Sequence, residues 1–192
     1  MTRPLHRWLV SASLAALYWF SAGALAQHLT GANLDKSAIT FVGRQMNVPT
    51  EGKFTKFALQ FLFDPAKLNE SRVQLDVDLA SIDTGSVEAN DEVKGKAWFD
   101  VKNHPTAKFV SSSIKSLGGG RYEVAGKMTI KGRTKDVTAP FTFKPEGQGG
   151  LFEGGFVLKR LDFAIGEGAW ADTETVANEV QVKFRVSGTS GR

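Results

Sequence analysis

The sequence predicts an all-β domain: an eight-stranded antiparallel up-and-down barrel with one short helix over one end. Three observations carry this prediction. Apolar residues recur at every second position along most of the chain, as in half-buried strands. The alternating segments are short and are joined by turn-rich connections. The one stretch that lacks alternation is rich in helix formers.

The chain begins with Arg3, His6 and Arg7, an apolar run from Trp8 to Phe20, and the small residues Ala24 and Ala26 around Leu25. This is the pattern of a secretory signal peptide. The run is shorter than the roughly 20 residues that span a bilayer, so cleavage after Ala26 and export to the periplasm are expected. Residues 1–26 are then the leader and 27–192 the domain, a length that buries a substantial core without staples.

There is no cysteine, which excludes disulfides, thiolate-bound metals and thiol redox chemistry. Net charge is +4, and Arg3 and Arg7 leave with the leader, so the domain is near +2. Its cations are interspersed with acids, a pattern that gives no support to nucleic-acid binding.

In order, the predicted strands carry Ile39, Phe41 and Gly43; Phe57, Leu59, Phe61 and Phe63, ended by Asp64-Pro65; then Val73, Leu75, Val77 and Leu79. Next come Ala107, Phe109 and Ser111; Tyr122, Val124, Gly126, Met128 and Ile130; and Val137, Ala139, Phe141 and Phe143. Phe152, Gly154, Phe156 and Leu158 precede the last strand, with Val180, Val182, Phe184 and Val186. Ser86–Trp98 is the predicted helix, with Asp83 and Ser86 as candidate caps, and residues 162–175 are a predicted long loop.

Catalytic constellations are absent from the pattern. Only His28 and His104 remain after the leader, far apart, and Asp76 and Asp78 lie on the polar face of an alternating strand. Gly118–Gly120 joins two strands and reads as a turn. No nucleophile, base and orienting group coincide, so the expectation is a protein that is not an enzyme and holds no cofactor or metal. Thirteen phenylalanines follow the leader, and most fall on inward faces, as the lining of an apolar cavity or as a dry core. Alternation alone leaves both open.

The motifs S-A-I-T-F (Ser37–Phe41), G-K-F-T-K-F (Gly52–Phe57), Phe63-Asp64-Pro65, S-I-D-T-G (Ser81–Gly85), Asp91 and Trp98-Phe99-Asp100 occur in order. They continue with H-P-T-A-K-F (His104–Phe109), G-K-M-T-I-K-G-R-T (Gly126–Thr134) and R-L-D-F-A-I-G (Arg160–Gly166). In this order and spacing the chain resembles the YceI-like family of periplasmic proteins over nearly all of residues 34–187.

The resemblance implies a lipocalin-like barrel that carries or sequesters a long apolar lipid, a polyisoprenoid or isoprenoid quinone, without chemistry. It points to Phe41, Phe57, Phe61, Phe109, Met128, Phe141, Phe156 and Phe184 as lining, with Trp98, Trp170, Asp83, Asp91 and Asp162 at the mouth. The segment Gly166–Thr173 is similar to the subgroup associated with membrane b-type cytochromes, which makes such a cytochrome the alternative partner, met through the loops. A homodimer is left open. Two departures stand out: Glu92-Val93-Lys94 after Asp91, and Ala164 where the family usually has glycine.

Overall fold

The computed structural model describes residues 28–190. The predicted leader lies outside them. Ten strands form one antiparallel sheet: β1 (Leu29–Gln45), β2 (Val48–Phe54), β3 (Phe57–Leu62), β4 (Arg72–Asp78), β5 (Ile82–Asp83), β6 (Thr106–Gly118), β7 (Arg121–Ile130), β8 (Arg133–Glu146), β9 (Gly149–Lys159) and β10 (Glu179–Ser190). Their spatial order is β3-β4-β6-β7-β8-β9-β10-β1-β2-β5. The sheet curls until β1 meets the end of β3, where Leu29 and Phe63 exchange two backbone hydrogen bonds of 2.9 Å.

All eight predicted strands are present, and two were missed. β2 follows β1 through a tight turn in which Met46 and Asn47 have φ of 49° and 64°, the left-handed geometry of a type I′ hairpin. Its sequence, VPTEGKF, is mostly exposed and interrupted by Pro49 and Gly52, so it carries no alternation. β5 is only two residues long. β6 contains a bulge between Ser111 and Ser113, which shifts the alternation so that Ile114 is the buried residue.

The helix is shorter than predicted. α1 spans Val87–Lys94, with the Ser86 hydroxyl accepting the Ala89 N–H at 3.3 Å, and it buries no residue. Asp83 instead accepts the Gly85 N–H in the preceding turn. The packing next to the helix comes from the segment after it: Trp98, Phe99 and Val101 lie against the core.

The core is the barrel interior, and large rings fit because small residues face them. A Cβ on Gly126 would come within 2.6 Å of the Phe109 ring, and one on Gly154 within 2.6 Å of the Phe184 ring. The backbone carbonyl oxygens of Val110 and Pro140 stand closer still to those two positions, so Gly126→Ala and Gly154→Ala force the neighbouring strand as well as a ring to move, and each is expected to cost about 3 kcal/mol or more by thermal melting.

Candidate functional site

Inside the barrel lies an apolar cavity of about 130 Å³. Its wall includes Ile39, Phe57, Leu59, Phe61, Val73, Leu75, Phe109, Val124, Met128, Ala139, Phe141, Phe156 and Phe184, and Arg72 is the single charged residue bordering it. Alternation places these side chains: each strand contributes every second residue, so several strands converge on one dry space.

The structure brings seven of the eight predicted lining residues to this cavity: Phe57, Phe61, Phe109, Met128, Phe141, Phe156 and Phe184. Phe41 is not among them. It lies two residues beyond Ile39 on β1, where its ring covers Gly52 and packs on Phe54 at 5.6 Å. Leu59, Leu75, Val124 and Ala139, which the alternation placed on the same faces as the phenylalanines, also line it, with Ile39, Val73 and Val137 among others.

Two aromatic clusters pack in the barrel, one of them against the cavity. Around Phe63, which is 2 % exposed, Tyr122, Phe141, Phe143 and Phe152 stand with ring centroids 4.9–6.2 Å away. In the second cluster, whose rings do not line the cavity, Phe54 meets Phe41 and Phe99 at 5.6 and 6.2 Å. Edge-on and tilted pairs of this kind each contribute about 0.5–1.5 kcal/mol beyond burial.

Residues 160–176 are irregular apart from two short 3₁₀ turns, Arg160–Phe163 and Gly168–Ala171. A buried cation organises them. Arg160 is 1 % exposed, and its guanidinium donates to five backbone carbonyls: Ala177, Ile165, Gly166, Trp170 and Val176, at 2.7–3.1 Å. Those bonds match the five N–H donors of an arginine. Burial lowers the Arg160 pKa, yet an arginine stays charged throughout the ordinary pH range.

A second cation ties the loop to the barrel rim. Lys131, in the β7–β8 turn, donates to the carbonyls of Lys96 and Ala164 and to Glu167 at 2.8–2.9 Å.

The five residues named for the mouth do not gather into one rim, and none lines the cavity. Trp98 and Trp170 do meet, with centroids 5.5 Å apart, and the Arg160 guanidinium sits 5.7 Å from the Trp98 ring. Asp83 pairs with Lys53 at 3.6 Å, Asp91 with Lys94 at 3.8 Å on α1, and Asp162 is exposed in the first 3₁₀ turn. Sequence patterning gave Arg160 no role beyond its motif, because a charge at the end of an alternating strand ordinarily signals solvent.

Ala164 has φ of 55°. That left-handed conformation is one an L residue pays about 1–2 kcal/mol to adopt. Ala164→Gly is expected to raise stability by about 0.5–1 kcal/mol in denaturant titration.

Hydrogen bonds and ion pairs set the acid limb. The Lys131 ammonium holds Glu167 below the ordinary carboxylate range, the Thr175 hydroxyl does so for Asp172, and Gln74 followed by Lys108 does so for Asp76. Stability from these groups is complete above ordinary carboxylate pKa values and is lost as pH falls through the lowered ones. The thermal midpoint should hold from neutrality to about pH 5 and drop below about pH 4. A midpoint unchanged at pH 3 would show that these contacts do not contribute.

Comparison with known proteins agrees with this architecture. The YceI-like domain profile matches residues 32–188. A UPF0312 protein of Azotobacter vinelandii is 34 % identical over 143 residues, 71 % of this chain and 72 % of its own length. One from Ectopseudomonas mendocina is 36 % identical over 131 residues, covering 65 % and 69 %. The crystal structure of Burkholderia cenocepacia BcnA is 48 % identical with a TM-score of 0.81, covering 83 % of this chain and all of that one. A polyisoprenoid-binding domain from Saccharophagus degradans, 15 % identical, shares the fold at a TM-score of 0.66 over 86 % of this chain and 99 % of its own. With the family profile spanning the described barrel almost from end to end, this chain belongs to the YceI-like domain family.

Proposed function

We propose that this protein binds a long apolar lipid inside the barrel, a polyisoprenoid or isoprenoid quinone, and carries or sequesters it in the periplasm after loss of the leader. The observation that carries the reading is the apolar cavity at the centre of a YceI-like barrel. The polyisoprenoid-binding description of the S. degradans domain of the same fold supports the ligand class.

The binding works by burial, with no covalent step: each CH₂ taken from water contributes about 0.8 kcal/mol, so a long chain needs few polar contacts. The cavity of about 130 Å³ is close to the roughly 150 Å³ that holds a benzene, and below the roughly 300 Å³ where small-molecule sites begin. A chain ligand is therefore accommodated by rings that turn aside. Phe57, Phe61, Phe156 and Phe184 are half-buried and face the cavity, which makes them the rings to turn.

Native mass spectrometry of the purified protein, followed by organic extraction, tests this. A bound lipid in one-to-one ratio is the expected result. A ligand-free mass that stays unchanged after incubation with quinones and polyprenols would overturn the reading and direct attention to protein partners at residues 160–176.

A further inference from the structure

The sheet closes incompletely, and the register shows where. β2 leaves β1 after the pair Ile39–Phe54, and the next contact between β1 and the following strand is the bridge Leu29–Phe63. Between those two points β3 is laddered to β4 on one edge only. The junction at Thr55 and Lys56 is drawn away from β1, since both backbone N–H groups donate to Ser81, at 3.1 and 3.0 Å.

The facing part of β1 is also out of the ladder. Its pairing with β10 jumps from Asn33–Ser187 to Ala38–Arg185, so Leu34–Ser37 form a bulge. Ser37 pins this bulge: its hydroxyl donates to the Asn33 carbonyl at 2.7 Å and accepts the Ser187 N–H at 3.1 Å.

The resulting gap is a recess of about 410 Å³, lined by Leu34, Ser37 and Ala38 on one side and Lys53, Phe54, Thr55 and Lys56 on the other. Ile39 and Phe57 form its inner wall and also line the central cavity. Two side chains are shared between the outside recess and the dry interior. One wall is a bulge held by side-chain hydrogen bonds, which opens at lower cost than a laddered strand. The aromatic cluster around Phe63, by contrast, is built from rings that contact one another.

We infer that the β1–β3 seam is a lateral portal through which an elongated apolar ligand reaches the cavity, with Phe57 as its gate. The inference rests on the binding reading above. A ligand passes sideways between strands when the Phe57 ring swings out and the Leu34–Ser37 bulge yields, and it leaves the cluster around Phe63 in place.

Stopped-flow uptake of cis-parinaric acid, a linear polyene that fluoresces when removed from water, tests the portal. Ala38→Trp fills the recess without reaching the cavity. It is expected to slow association and dissociation alike, each by about tenfold, because a blocked path changes rates and leaves the ratio that sets Kd. Phe57→Ala is expected to speed association several-fold.

Leu34→Trp, on the exposed bulge, gives the slow phenotype should Ala38→Trp disturb the β1 ladder. If both tryptophan variants take up probe at the wild-type rate, or Trp170→Ala at the barrel end accelerates uptake, the portal is overturned in favour of access through the end. No fluorescence change with the wild-type protein would instead overturn the binding reading itself.

Discussion

Arg160→Met is expected to be among the most destabilising single substitutions in this domain. The methionine matches much of the aliphatic stem but leaves five carbonyls, of Ala177, Ile165, Gly166, Trp170 and Val176, without their donor. Unsatisfied buried acceptors cost about 1–3 kcal/mol each, and the loop relieves part of that by opening to water. A net loss of about 3–5 kcal/mol is the expectation, because the five carbonyls lose their donor together and only some regain one from water. In a domain of this length that lowers the thermal midpoint by about 6–20 °C.

The loop itself supplies a second readout. Trp98 and Trp170 are in ring contact, and the coupled signal they give in circular dichroism should vanish in the variant before global melting. Arg160→Lys keeps the charge but offers three donors in place of five, so it should recover only part of the loss. Wild-type stability in Arg160→Met would mean that the five bonds merely replace bonds to water.

Ala139→Phe addresses the cavity. Ala139 is 4 % exposed on the inner face of β8 and borders the cavity, so a phenyl ring there has space that a packed core would deny. Overpacking ordinarily costs about 1–3 kcal/mol, but here burying the ring offsets it by about 1.5–3 kcal/mol, and the midpoint should change little. The ligand loses what the ring takes. Excluding three or four CH₂ groups removes about 2.5–3 kcal/mol, a fall in affinity of about 100-fold by competition or extraction. Unchanged affinity in a folded Ala139→Phe protein would place the ligand outside this cavity.

The fold was legible because β alternation is a local signal. In Arg72–Asp78 or Arg121–Ile130 most residues declare their face by polarity, and the strands formed as the pattern predicts. β2 left no such trace. Both of its faces are largely exposed, so nothing selects apolar residues at every second position, and it is held by backbone pairing to β1. Phe41 was assigned with the other inward rings for a related reason: alternation gives the side of the sheet and not the depth along the barrel. Phe41 shares a face with Ile39 but lies against Phe54 and Gly52.

Arg160 and the seam belong to another class. Arg160 satisfies its charge with carbonyls from residues 165, 166, 170, 176 and 177, and nothing in those residue types announces that their backbones will converge. The seam depends on register, on where β2 departs from β1 and where Leu29 meets Phe63.

From sequence alone came the all-β class, the order of the eight principal strands, the turns between them and the phenylalanine-rich interior. Each of these follows from polarity and backbone preference within a few residues. Only the tertiary structure decided the small size of the cavity, the five-carbonyl site of Arg160 and the unladdered gap between β1 and β3. These depend on distances between segments far apart in the chain, and those distances are set by how the whole sheet curls rather than by any segment of it.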